Sequence, residues 1–168
     1  MPNIEIKAIY KNLDNARVIA KRLSTDYIGH LHQIDTYFTT SKGRLKLREI
    51  NGQEAQLIPY SKDYSTGPMK SSYSVLPVDD PENLKSILDK ILGTVTIVDK
   101  KREVFLINNV RVHLDQVKDL GTFLEFEAVY TDESEKENEI KKVNELKEQF
   151  KIKDQDLLDK SYIDYLMQ

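Results

Sequence analysis

Four stretches of the chain alternate charged with apolar residues in steps of two. Glu5 and Lys7 alternate with Ile4 and Ile6; Arg44, Lys46 and Arg48 with Leu45 and Leu47; Arg111, His113 and Asp115 with Val110, Val112 and Leu114; Glu125 and Glu127 with Leu124, Phe126 and Ala128. Successive side chains of a strand leave opposite faces, so each stretch gathers its charges on one face and good core residues on the other. Any one of them alone reads as an ordinary half-buried strand with its charges in water. The set asks for more. If helices cover the apolar face, the charges converge on the concave side of a curled sheet, as in a barrel with a charged lumen. Charges in a partly dehydrated cavity lose hydration and repel unless paired. A polyanion and a cation would complete such a lumen: lysine and arginine suit phosphate oxygens, arginine in bidentate fashion, and carboxylates on adjacent strands suit a hard divalent metal that also bridges phosphates.

The elements that must carry these residues are legible from period and punctuation. Period-two segments run from the start to about Tyr130: NIEIKAIY, GRLKLREI, AQLIPY, SSYSVLPV, VTIVDKKREVFLI, VRVHLDQV and TFLEFEAVY. Turn material separates them at Ser41-Lys42-Gly43, Asn51-Gly52, Tyr64-Ser65-Thr66-Gly67-Pro68, Asn108-Asn109 and Leu120-Gly121, and joins this short make hairpins. Helices are predicted over Asn12 to Leu23, with Leu13, Ala16, Ile19, Ala20 and Leu23 on one face, and over Asp79 to Leu92, where Asp80 caps, Pro81 opens and Gly93 follows the end. A third spans about Asp132 to Phe150, with a stripe of Ile140, Val143, Leu146 and Phe150 and a solvated charged face. A short closing element, Ser161 to Leu166, docks by Tyr162, Tyr165 and Leu166. The expected fold is α+β: a closed or nearly closed antiparallel β-barrel with helices packed outside.

Composition bounds the rest. The 168 residues suit a single domain, 1–168. With 25 basic against 28 acidic residues and a net charge of -3, no basic excess points to nucleic acid. There is no cysteine, so any metal must be held by oxygen ligands or by the three histidines, which favours Mg²⁺ or Mn²⁺. No apolar run approaches the roughly 20 residues of a membrane span, and MPNIEIKA lacks the apolar core of a secretory signal; a cytoplasmic protein is expected. P-loop, Gly-x-Gly-x-x-Gly, Gly-x-Ser-x-Gly and His-Glu-x-x-His motifs are all missing from the sequence.

The segments NIEIKA, QIDTYF, GRLKLRE, AQLIPYSKD, GPMKSSY, VDKKREVF, VRVHLDQVKDLGTFLEFE and SYIDYL together, in this order and spacing, make the sequence resemble the CYTH family of triphosphate tunnel enzymes. RVHLD, DLGTFLEFE and the terminal SY are most similar to its class IV adenylyl cyclase-like branch. The family's opening E-x-E-x-K reads here Asn3-Ile4-Glu5-Ile6-Lys7, with one glutamate replaced. The resemblance implies phosphate contacts from Lys46, Arg48, Lys62, Lys70, Lys100, Arg102 and Arg111, and metal ligation by Glu5, Glu125 and Glu127. It places Lys7, Arg48, Arg111 and Asp115 at the catalytic centre, Asp115 holding water at the metal or orienting a basic residue. His113 would contact the ligand or serve structure. Tyr60, Tyr73 and Tyr162 would line the core or a tunnel mouth. The implied activity is conversion of ATP to cyclic AMP and pyrophosphate; hydrolysis of inorganic, nucleoside or thiamine triphosphate is the alternative, and a non-catalytic nucleotide or polyphosphate binder the reading of another class. Related enzymes are compatible with a homodimer.

Overall fold

The computed structural model describes residues 2–62 and 68–168, with residues 62, 69 and 71 described by their main chain only. The predicted turn over 64–68 therefore falls largely outside the described residues. The chain runs β1 (Pro2–Ile9), α1 (Leu13–Leu23), β2 (Asp26–Phe38), β3 (Arg44–Ile50), β4 (Glu54–Lys62), β5 (Met69–Tyr73), β6 (Leu76–Pro77), α2 (Pro81–Leu92), β7 (Thr94–Ile107), β8 (Val110–Val117), β9 (Gly121–Val129), α3 (Lys136–Gln149), β10 (Leu157–Leu158) and α4 (Tyr162–Leu166). Short 3-10 turns cover Glu133–Glu135 and Asp154–Asp156.

Eight strands close a barrel in the order β1-β5-β4-β3-β2-β7-β8-β9, with β9 pairing back onto β1 over Asn3 to Ile9. Every pairing among the described strands is antiparallel, and the two-residue β6 and β10 add to β4 and β1. Closure leaves few bare strand edges. The expected closed antiparallel barrel is thus present, with α1, α2 and α3 packed outside it and α4 seated at one end.

The local reasons are those the sequence suggests. Asn12 caps α1 by accepting the Asn15 N–H, 3.1 Å away, and Asp80 caps α2 from Asn83 at 3.2 Å with Pro81 in the first helical turn. Ile107 pairs Val110 across Asn108-Asn109, where Asn108 takes φ 54°. At Gly43, φ is 67° and a Cβ would meet the Tyr60 carbonyl oxygen at 2.9 Å, so this corner tolerates only glycine.

One long strand escapes the sequence reading. β2 spans thirteen residues and pairs both β3 and β7. Its first half is largely exposed and bulged between Tyr27 and Gly29, so a plain alternation of apolar and polar residues is absent there.

Two apolar clusters divide the protein. The first lies outside the barrel, where Ile4, Ile6, Ala8, Val112, Leu114, Leu124, Phe126 and Ala128 meet Ala16, Ile19 and Ala20 of α1 and Val143, Leu146 and Phe150 of and after α3. Phe126 and Phe150 meet in a tilted arrangement with centroids 5.1 Å apart; burial of each such ring contributes about 1.5–3 kcal/mol. The second cluster fills one end of the lumen. Tyr37, Val98, Val117 and Phe123 lie in step with the inward charges of their strands and receive Tyr162 and Ile163 of α4. This short helix stoppers that end of the barrel. α2 lies over β2 and β3 with none of its residues buried, and Lys85 reaches Glu49 at 2.8 Å. No helix among the described residues is long and apolar enough to cross a membrane.

Candidate functional site: a charged tunnel

Between the α4 stopper and the far end, the barrel encloses a cavity of about 290 Å³. Its lining includes Asn3, Glu5 and Lys7 of β1, Gln33 and Tyr37 of β2, Lys46 and Arg48 of β3, Lys100 and Arg102 of β7, Arg111 and His113 of β8, and Glu125 and Glu127 of β9. Register accounts for the grouping, since paired residues share a face. Glu5 stands opposite Glu127 and Glu127 opposite Arg111; Lys7 stands opposite Glu125 and Glu125 opposite His113.

The lumen is not a bare cationic shell. Asp35, fully buried, binds three cations: Arg48 through two bonds of 2.8 Å, Lys100 at 3.1 Å and Lys46 at 3.2 Å. Burial alone would push the Asp35 carboxyl up, but Arg48, Lys100 and Lys46 together hold it well below the usual carboxylate range. A second buried carboxylate, Asp115, grips Arg102 at 2.7 and 2.6 Å and accepts the Tyr162 hydroxyl at 2.7 Å. Bidentate pairs of this kind fix the guanidinium plane. Lys7 lies 3.1 Å from Glu125 and 4.0 Å over the Tyr162 ring. Arg111 has no carboxylate partner among the described residues and faces the cavity.

These surroundings set protonation. Burial, aided by Arg48, lowers Lys46 to about 8 against the opposing pull of Asp35. Burial also lowers Lys100 well below its ordinary value, with Asp35 opposing. His113 is pushed down by burial and by Arg102, so the imidazole is neutral near pH 7 and can accept a hydrogen bond or a metal. Glu125 is raised by burial but held well below its ordinary value by Lys7 and His113. Tyr73 is pushed up to about 12 by burial and by Glu127.

His113, Glu125 and Glu127 each present a ligand atom, all within 4.8 Å of one another. Two carboxylates and a neutral imidazole are a donor set that fits a divalent cation, Mn²⁺ or Mg²⁺ included. His113 Nδ1 is 2.9 Å from Glu125 Oε1. The Asn3 amide donates to Glu127 Oε1 at 2.9 Å; it thereby orients that carboxylate where a glutamate at position 3 would repel it.

The structure brings together Glu5, Lys7, Lys46, Arg48, Lys100, Arg102, Arg111, Glu125 and Glu127 around one cavity, with Asp115 directly behind Arg102. Lys100 is buried while Lys101 is exposed, as the strand phase requires. Lys70 is not brought in. It stands opposite Ile4, whose side chain belongs to the outer core, and its ammonium lies 3.2 Å from Glu133 outside the barrel. The side chain of Lys62 lies outside the described residues. Glu5 lines the cavity beside the three-residue cluster rather than within it. Sequence reasoning missed Asp35 and Gln33 altogether. Their signal was present as the alternation of Gln33, Asp35 and Tyr37 in QIDTYF, but it became usable only once that segment was known to be a strand.

A closed antiparallel barrel whose lumen carries arginines and lysines beside a carboxylate-imidazole cluster defines a protein of the tunnel type. The CYTH domain model matches residues 1–162, and the chain belongs to this family. Among solved structures it is similar to the PH1012 protein of Pyrococcus horikoshii OT3, with a TM-score of 0.81 and 23% identity over 96% of this chain and 98% of that one. It is similar also to a Vibrio parahaemolyticus protein that carries an adenylate cyclase assignment, with a TM-score of 0.82 and 20% identity over 99% and 98%. A third is HpAC1 of Hippeastrum, which bears an adenylyl cyclase assignment and is described with a dominant triphosphatase activity; its TM-score is 0.66 and its identity 14% over 98% and 94%. No match was found among curated proteins.

Proposed function

We propose that the chain is a divalent-metal-dependent enzyme acting on a triphosphate, and that its reaction is the conversion of ATP to cyclic AMP and pyrophosphate. The observation that carries the reading is the convergence of Lys7, Lys46, Arg48, Lys100, Arg102 and Arg111 with the His113, Glu125 and Glu127 cluster on one 290 Å³ cavity. His113, Glu125 and Glu127 would hold Mg²⁺ or Mn²⁺, which would supply positive charge to neutralise that of the phosphates. Arg48 and Arg102, their planes held by Asp35 and Asp115, present fixed N–H donors to the triphosphate; Arg111 and Lys46 add charge as it builds on the departing oxygens. Catalysis of this kind rests on positioning and electrostatic stabilisation, and it needs no covalent protein intermediate. In the cyclase reaction the substrate's own 3′-hydroxyl attacks the α-phosphorus and pyrophosphate leaves.

Two features favour the second reading, hydrolysis. The charged groups come from five strands, β1, β3, β7, β8 and β9, and do not by themselves select one phosphorus, and the Hippeastrum protein of the same fold is described as chiefly a triphosphatase. A non-catalytic binder draws support from Asn3, which supplies an amide where the family signature has a carboxylate. Phosphorus NMR of the products from ATP, and separately from inorganic triphosphate, with Mg²⁺ or Mn²⁺, distinguishes the three. Cyclic AMP with pyrophosphate is expected; orthophosphate with ADP or pyrophosphate transfers the assignment to hydrolysis; binding without turnover leaves the receptor; no binding ends the triphosphate reading. Glu127→Gln is expected to lower the rate by about 100-fold or more, the scale of losing one preorganised charge-stabilising group.

A further inference from the structure

The inward residues change character along the tunnel. On β2 they read Tyr37, Asp35, Gln33 and Leu31 from the α4 end outward, and on β3 Lys46, Arg48 and Ile50. Gln33 stands opposite Ile50, and Gln56 opposite Arg48. From the level of Arg48 outward the lining of these three strands therefore turns from charges to two amides and two aliphatic side chains, at the end away from the α4 stopper; on β7, Lys100 and Arg102 stand opposite Gln33 and Leu31 with their charges engaged by Asp35 and Asp115. Gln33 is only 4% exposed, faces the cavity, and its Oε1 has no hydrogen-bond partner among the described residues. A buried carbonyl oxygen left without a donor is unfavourable and is commonly satisfied by a ligand or water.

Resting on the triphosphate reading above, we propose that this mouth is a nucleobase subsite, in which Gln33 accepts a hydrogen bond from the exocyclic amine of adenine while Leu31 and Ile50 flank the ring. A phosphate group offers no donor to Gln33 Oε1 near pH 7, and neither Leu31 nor Ile50 can supply one. An aromatic amine meets both conditions: it donates, and its ring gives flat apolar faces. Gln56, partly exposed beside Arg48, supplies a second amide able to donate and accept at the ring edge. The phosphates then lie deeper, among Arg48 and its neighbours, and the base is held at the entrance. A site that hydrogen-bonds one substituent discriminates against an analogue lacking it, because its own polar atom is then stranded.

The test is calorimetric titration of the full chain with ATP, with ITP, which carries a carbonyl in place of the 6-amino group, and with inorganic tripolyphosphate, all in Ca²⁺ in the cold to suppress turnover. ATP is expected to bind about tenfold more tightly than ITP, and Gln33→Leu to erase that difference while leaving tripolyphosphate within about twofold, as expected of a site apart from the phosphates. Equal binding of ATP and ITP by the unaltered protein overturns the proposal, as does a Gln33→Leu protein that loses ATP and tripolyphosphate together. If Gln33→Leu does not fold by circular dichroism, the ATP against ITP comparison still decides, and Gln56→Leu, expected to weaken ATP but not tripolyphosphate, decides again. Failure of tripolyphosphate itself to bind removes the underlying triphosphate reading, a different result from an indifferent base.

Discussion

Asp35 and Lys46 show why the lumen can hold so much charge. A cavity lined by lysines and arginines alone would be self-repelling, and the repulsion would shift lysines toward neutrality before any ligand arrived. Asp35 counters this by binding Arg48, Lys46 and Lys100 at 2.8–3.2 Å, yet Lys46 still falls to about 8 because burial outweighs its partner. The charged form of Lys46 thus prevails below about pH 8 and is lost above it. Accordingly kcat/KM for ATP should fall with rising pH through about 8, since this ratio reports the free enzyme. Lys46→Arg, whose guanidinium stays protonated beyond pH 12, should extend the plateau upward by about a unit or more; an unchanged profile in that variant would show that another group sets the limb. At this scale the sequence was readable wherever a charged residue alternated with leucine or valine, as at Lys46, Arg48, Glu125 and Glu127. It was not readable at Asp35, whose meaning lies entirely in three side chains from two other strands. Lys70 shows the converse: its lysine sits in a matching segment, but pairing with Ile4 turns it outward.

Among the elements, α4 has an effect out of proportion to its five residues. Tyr162 is 4% exposed, packs at a tilt against Phe123 with centroids 4.9 Å apart, lies under Lys7 and bonds Asp115, so this one ring closes the tunnel floor and braces the carboxylate that orients Arg102. Tyr162→Ala should destabilise the protein by about 3–5 kcal/mol, as for other large buried aromatics. Tyr162→Phe, which removes one buried hydrogen bond and keeps the packing, should cost only about 1–2 kcal/mol. Urea unfolding measures both, and equal losses would contradict the division between ring and hydroxyl. The docking of this segment was legible from Tyr162 and Leu166, but it is Ile163 rather than Tyr165 that joins them in the cluster, and its position inside the barrel was not legible. β2 escaped because the periodicity argument assumes that polar residues face water, whereas Gln33 and Asp35 face inward and the opening half of the strand is exposed on both faces.

For the whole molecule, the closed sheet couples ligand to stability. Triphosphate and metal would bind side chains from most of the barrel strands at once, and none of that arrangement exists in the unfolded chain. At 100 times the dissociation constant a ligand adds about 2.7 kcal/mol, and in a chain of this length each kcal/mol raises the melting temperature by about 2–4 °C. Tripolyphosphate with Mn²⁺ should therefore raise Tm by about 5–10 °C, with part of the rise removed by EDTA; a Tm indifferent to both would argue against a ligand held by the lumen. What could be read from the linear chain was whatever depends on near neighbours: the helices with their caps, the hairpin turns, the two faces of most strands, and the mixed charge of the face that became the lumen. Which charges neutralise one another, which lysine turns outward, where α4 seats, and where the tunnel changes from charged to amide and aliphatic all required the closed barrel. Those properties belong to residues far apart in sequence, and only strand register and closure bring them within a hydrogen bond of each other.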